Sequence, residues 1–308
     1  MLIYPNFLEK STYTFYDGLM SNMPIVEADT SLLKKHLENI SQPRDLFENP
    51  EGLAAIETYI REELISCGYD TRPIPFEFQG RTFHNLLART RTADPKSARF
   101  IIGAHFDAVP STPGADDNAS GVAGLLEAAR LLATFDEVAG IDFIAFNAEE
   151  YGMVGSSHYV RQLQENKTSL RGMLSLEMIG YTSREPNSQK LPIFLKPFYP
   201  STGTFIALVG DNRASALLKQ TKAAFKTVEG LHVEALKVPA KGRLIPECRL
   251  SDHSPFWDAG YPALLVTDTS FFRNPHYHGP GDRIDTLDLD FLTRVTEGVV
   301  RTVLSLSA

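Results

Sequence analysis

The residues whose types and spacing could do chemistry begin at His105. An apolar run, Ile101-Ile102-Gly103-Ala104, ends in His105-Phe106-Asp107. A loop follows that carries two adjacent carboxylates, Gly114-Ala115-Asp116-Asp117-Asn118-Ala119-Ser120-Gly121. Imidazole and carboxylate together suit Zn2+, and an Asp two residues from a His can hold the second nitrogen of that ring. Asp, Asn and Ser also cap helices, and a capping turn would account for one of these carboxylates. It does not account for two of them plus His105 and Asp107, so a metal site is the better reading.

The same logic recurs downstream. Ile141-Asp142-Phe143-Ile144-Ala145-Phe146-Asn147 predicts a buried strand that ends in Ala148-Glu149-Glu150-Tyr151-Gly152. Like charges at close range raise one pKa unless a cation sits between them. One glutamate could be a ligand and the other a general base. Alone, the pair reads more simply as solvated residues opening a helix, where the dipole favours negative charge. Glu177 interrupts the apolar run Gly172-Met173-Leu174-Ser175-Leu176. Glutamate is rarely buried without a partner, so this one wants a cation. Finally, Asn274-Pro275-His276-Tyr277-His278-Gly279-Pro280-Gly281-Asp282 follows the apolar run Ala263-Leu264-Leu265-Val266-Thr267. Its two histidines could be plain surface residues; Asp282, four beyond His278, could orient that ring. Their order on successive strand ends makes the joint signal strong.

These motifs resemble those of the co-catalytic zinc exopeptidases of the bacterial aminopeptidase and glutamate carboxypeptidase type, metallopeptidase clan MH. The likeness covers roughly residues 30 to 308 and rests on His105-x-Asp107, Gly114 to Gly121, Asn147-Ala148-Glu149-Glu150, Leu176-Glu177-Met178 and Tyr277-His278. It implies that His105 and Glu177 bind one zinc, that Glu150 and His278 bind the other, and that Asp117 bridges both. It implies that Glu149 is the general acid/base and that Asp107 supports His105 from behind. The position of Glu177 is often Asp in this family, and glutamate ligates with a longer reach. Chemistry alone makes sense of these types: paired ions need a bridging carboxylate, with an imidazole and a carboxylate on each.

The elements that must position these groups alternate along the chain. Helical spacing is found over 31–41, 51–66, 119–133, 153–165, 212–227 and 289–306. Strand patterns cover 72–79, the run into His105, 141–147, 171–178, 204–210 and 231–238. The alternation predicts an α/β fold with a mostly parallel, mixed central sheet and helices on both faces, as in the zinc exopeptidase (phosphorylase/hydrolase-like) folds that the resemblance implies. Residues 1–27 are aromatic-rich and aperiodic and read as an amino-terminal arm. Residues 28–308 read as a single zinc peptidase domain with loop insertions near 181–200 and 239–255. In the second loop Ser251-Asp252-His253 looks like a family motif near the substrate cleft. A structural role, with Asp252 and Ser254 capping a helix at Phe256-Trp257, is as good a reading. Arg243 and Arg249 read as solvated charges before substrate contacts.

At 308 residues the chain can bury a large core. A net charge of −8 and the lack of a basic run disfavour nucleic acid and anionic membrane as partners. No stretch approaches the roughly 18 apolar residues of a membrane span. The two cysteines, Cys67 and Cys248, form no framework, and no signal peptide is recognisable at the amino terminus, so a cytoplasmic setting is expected. The expected function is a zinc-dependent exopeptidase, an aminopeptidase first, taking peptide substrates with two zinc ions per chain or another divalent transition metal. A carboxypeptidase of the same family and a homo-oligomer stay open. The rival from another reaction class is a glutaminyl-peptide cyclase-like acyltransferase with one zinc. Cyclases of that type tend to place Trp beside the ligand His, whereas Tyr277 stands there and the single Trp is Trp257. A dead binding domain would have lost ligands, and all five are present.

Overall fold

The computed structural model describes residues 26–90, 98–135, 138 and 140–307. The arm expected over 1–27 lies outside them except for its last two residues. Among the described residues eight strands form one sheet: β1 (Asp70–Phe78), β2 (Arg81–Arg89), β3 (Arg99–His105), β4 (Ile141–Phe146), β5 (Leu170–Leu176), β6 (Phe205–Asp211), β7 (His232–Val238) and β8 (Ala263–Thr267). Their spatial order is β1-β2-β4-β3-β5-β8-β6-β7. The centre, β4-β3-β5-β8, is parallel throughout. β2 joins β4 and β6 joins β8 in antiparallel fashion, so the sheet is mixed. Parallel strands covered on both faces must be apolar along their length. β3, β4 and β8 are buried at every position.

β2 was not expected from the sequence. It returns from β1 through a two-residue turn, with Phe78 opposite Arg81 and both Gln79 (φ 49°) and Gly80 (φ 74°) in the left-handed region. Such hairpin turns are usually announced by Asn-Gly or Asp-Gly, and Gln79 hides the signal.

Among the described residues seven helices cover the sheet: α1 (Thr30–Ile40), α2 (Pro50–Ser66), α3 (Gly121–Leu132), α4 (Val154–Glu165), α5 (Ser215–Phe225), α6 (His253–Ala259) and α7 (Leu289–Ser307). In α1 the Asp29 carboxylate accepts the N–H groups of Ser31 and Leu32, and Leu33, His36, Leu37 and Ile40 bury one stripe. Helices α1, α2, α3, α5 and α7 build the larger core on one face. α4 and α6 build the smaller core on the other.

The chain leaves β3 to form β4 on one side, then returns to lay β5 on the other side of β3. Where strand order reverses like this, the loops at the carboxyl ends of the strands part and leave a crevice. His105 ends β3, Glu149 and Glu150 follow β4, and Glu177 follows β5. All of them therefore meet at one edge. Residues 181–204 cross from β5 to β6 with turns alone, and 239–252 form short turns before α6.

Candidate metal centre

The parallel register sets Gly103 opposite Ser175, and two residues on it brings His105 beside Glu177. His105 Nε2 lies 3.4 Å from each Glu177 carboxylate oxygen and 3.3 Å from Asp117 Oδ1. On the far side of Asp117, His278 Nε2 lies 3.2 Å from Asp117 Oδ2 and 3.2 Å from Glu150 Oε2. Two triads result, His105/Asp117/Glu177 and Asp117/Glu150/His278, with ligand atoms in each within 4.8 Å of one another. Asp117 belongs to both and turns one oxygen to each imidazole. His276, the other histidine of that loop, belongs to neither.

Each group is held from behind. Asp107 accepts the backbone N–H of Glu149 (3.1 Å) and of Glu150 (3.2 Å), while its carbonyl lies 3.2 Å and its Oδ1 3.5 Å from His105 Nδ1. Ser251 Oγ donates to Glu177 Oε2 at 2.8 Å. The Asp117 loop hangs on three anchors. Asp282 accepts the N–H groups of Asp116 (2.8 Å) and Asp117 (3.0 Å). Asn118 donates to Leu176 O and accepts from Gly121 N and Met178 N. Arg44, fully buried, donates to the carbonyls of Phe106 (2.8 Å), Pro113 (2.6 Å) and Gly114 (2.7 Å). Asp282 thus grips the bridging loop, not the His278 ring. Ala148 (φ 58°), Met178 (φ 50°) and His278 (φ 56°) adopt left-handed backbone beside or within the cluster. Non-glycine residues held this way concentrate where a site over-determines them.

The electrostatics follow from burial and crowding. Burial opposes a charged His105, yet Glu177, Asp107 and Asp117 hold it well above the ordinary histidine value. Burial likewise opposes charge on His278, and hydrogen bonds to Asp117 and Glu150 raise it to about 10. Burial first, then Asp117, pushes Glu150 up to about 7. Glu149 is raised well above its usual range by burial, against His105 and with help from Glu177, Asp252 and Glu150. Burial would raise Asp117 too, but its bonds to His105 and His278 keep it ionised and lower its pKa. This many buried carboxylates are tolerable only if cations answer them. Glu150 Oε1 is buried without a hydrogen-bond partner. Two imidazoles and three carboxylates, with one oxygen still uncommitted, are a donor set that fits divalent zinc.

The Ser251-Asp252-His253 motif divides. Ser251 steadies Glu177. Asp252 stands at the start of α6 but makes no capping bond; its carboxylate is pushed up to about 7, by burial and then by the surrounding groups, with His105 opposing and Glu177 adding. His253 is buried, bonds Cys248 O through Nε2 (2.8 Å) and packs edge-on against Trp257, so it is structural. Arg243 and Arg249 both pair with Asp258 on the surface. Sequence reasoning missed Arg44 and the bond from Ser251. Arg44 carries no motif at all.

A cavity of about 280 Å³ opens beside the cluster, reached by Asp117, Glu149, Glu150, Glu177 and His278. Its floor is sheet and its walls come from the loops after β4, β5, β7 and β8.

Sheet, crevice and shared-carboxylate triads together form the kind of site that metal-dependent hydrolases use. The family model for Peptidase family M28 matches residues 85–303, and the chain belongs to that family. Escherichia coli (strain K12) YfbL, itself uncharacterized, is 34% identical over 93% of this chain and 92% of its own length. Aminopeptidase YwaD of Bacillus subtilis is 30% identical over 73% of this chain, which spans only 45% of YwaD. Among solved structures, the Legionella pneumophila LapA aminopeptidase shares the fold at 19% identity and a TM-score of 0.72, covering 99% of this chain and 78% of that one. So does a Porphyromonas gingivalis glutaminyl cyclase, at 20% identity and 0.67, covering 90% and 96%. Among the described residues no helix is long and apolar enough to cross a membrane.

Proposed function

We propose that the chain is a two-zinc aminopeptidase that hydrolyses the amino-terminal bond of peptides. The observation that carries this reading is Asp117, whose two oxygens face two different imidazoles at 3.3 and 3.2 Å, each imidazole having a further carboxylate of its own. His105 and Glu177 would hold one ion, Glu150 and His278 the other, and Asp117 would bridge them. Bound zinc supplies Lewis acidity and brings the pKa of water to about 7.

Glu149 does the proton work in this reading. It sits beside a ligand, lines the cavity and takes no part in either triad. A buried carboxylate with a raised pKa accepts a proton near neutrality and returns it to the leaving amine. Asp107 positions both Glu149 and His105. The cavity seats the side chain of the residue removed, excluding water around the bond to be broken. YwaD and LapA are named aminopeptidases, which favours the amino-terminal direction.

A cyclase is the weaker reading, because two complete triads exceed what one ion needs and Trp257 is buried with its Nε1–H on Ala263 O. The test is a panel of aminoacyl anilides, amino-blocked dipeptides and glutaminyl peptides, assayed with metal-stripped and zinc-restored protein. Turnover of the anilides alone, and only with zinc, supports the proposal. Cyclisation of the glutaminyl peptides without anilide turnover overturns it.

A further inference from the structure

The cavity floor continues the metal centre in one straight line. On a single face of the sheet, Glu177 follows Leu176, which pairs with Val266, so Glu177 stands beside Thr267. Thr267 pairs with Ala207 on β6, and Ala207 pairs with Glu234 on β7. The row Glu177-Thr267-Ala207-Glu234 therefore crosses four strands. Neighbouring strands lie about 4.8 Å apart, so three steps place Glu234 roughly 14 Å from Glu177 along the floor.

Between these ends the floor is apolar, with Phe205, Val209, Leu236 and Leu265 flanking the row. Glu234 is half-buried at the far end. Among the described residues no side chain hydrogen-bonds or pairs with its carboxylate; the nearby Tyr199 hydroxyl donates to Ala235 O instead. Glu247, exposed, lines the same cavity from the rim, and among the described residues no cationic side chain pairs with it either.

We propose that Glu234 is a specificity-determining residue that selects a cationic side chain on an aliphatic stem, of the lysine or arginine type, at the residue removed. The inference rests on the aminopeptidase reading above. The substrate's own amino group cannot be what Glu234 meets, because it is bonded to the carbon next to the scissile carbonyl and stays at the metal end of the row. Only the side chain runs outward. A long apolar side chain would lay hydrocarbon against the far carboxylate and strip its water without giving it a partner, which is costly. A stem of methylenes covers the apolar floor and delivers its charge to Glu234, as long basic side chains do elsewhere.

Lysyl and norleucyl substrates differ by little more than the terminal ammonium, and so isolate this contact. With zinc-restored full-length protein, kcat/KM should favour the lysyl over the norleucyl anilide by about tenfold, a charged hydrogen bond's worth. Glu234→Gln should bring that ratio toward one, mainly through KM, and Glu234→Asp should fall between. A ratio that Glu234→Gln leaves unmoved, or a wild-type preference for norleucine, overturns the inference while the hydrolase reading stands. If no anilide is turned over, the hydrolase reading falls. Calorimetric affinities of lysinamide and norleucinamide for the same two proteins then decide the pocket separately: tighter lysinamide binding lost in Glu234→Gln supports it, and equal affinities end it.

Discussion

Asp107 accepts the backbone N–H of Glu149 at 3.1 Å with one carboxylate oxygen and that of Glu150 at 3.2 Å with the other. Its own carbonyl stands 3.2 Å from His105 Nδ1. One residue thereby sets an imidazole from β3 against two carboxylates from the loop after β4. Asp107→Asn keeps a single acceptor oxygen and turns an NH2 group toward an N–H. Support of this kind is typically worth 10- to 100-fold in metal affinity or activity. Zinc titration of the purified variant should find a loss in that range, and unchanged affinity with unchanged rate would remove Asp107 from the site.

The two adjacent glutamates should separate by readout. Glu149→Gln keeps shape and loses basicity, so metal content should hold while kcat falls by ~10² to 10⁴. Glu150→Gln should lose bound metal as well. Near-normal turnover by Glu149→Gln at full metal content would place the base elsewhere.

Elemental analysis of gently purified protein should find close to two transition-metal ions per chain. Asp117→Asn should weaken both positions, because it alone serves both triads. Glu177→Asp shortens one ligand and should alter the affinity of only the His105 position. Trace metal in active protein would defeat the assignment.

Arg44 offers a stability test away from the chemistry. Arg44→Met leaves the carbonyls of Phe106, Pro113 and Gly114 without their donor. An orphaned buried acceptor costs about 1–3 kcal/mol, so unfolding free energy should drop by roughly 3 kcal/mol or more. Chemical denaturation of the two proteins measures it; a drop below about 1 kcal/mol would mean water replaces the guanidinium.

Burial holds His253 down to about 3, from 6.5 in the unfolded chain. The unfolded chain therefore takes up a proton first as pH falls. The stability gained by keeping this ring neutral is complete above 6.5 and is lost from there toward 3, at up to ~1.4 kcal/mol per pH unit. His253→Gln can still donate to Cys248 O but has no such titration. Between pH 7 and pH 4 its denaturation midpoint should decline less than that of the wild type, and equal slopes would refute the assignment.

What was legible in the sequence follows from how local each signal is. Apolar runs that stop at His105, Asn147 or Glu177 announce buried strands and their polar ends, because burial on both faces demands continuous hydrocarbon. The placing of β5 beside β3 and of β6 against β8 was not legible, since pairing across the sheet leaves no mark within either strand. Arg44, Ser251 and Asp282 were hidden or misassigned for a related reason. Their partners are backbone groups or a carboxylate far along the chain, and such bonds impose no spacing. Asp252 read as a helix cap because its type and place fit one; its burial among other acids is visible only in three dimensions.

Residues 40–45 supply no ligand and precede the stretch matched by the family model, 85–303. Yet Arg44 fastens the loop bearing Asp117, and Asp45 accepts the Tyr151 hydroxyl at 2.6 Å, next to Glu150. The boundary of recognisable ancestry and the boundary of the working unit are therefore different lines. A core trimmed to the matched segment would keep the Asp282, Asn118 and Asp107 anchors but lose the Arg44 clamp and the Asp45–Tyr151 bond, so insertion, fusion or minimisation of this hydrolase has to begin before Arg44.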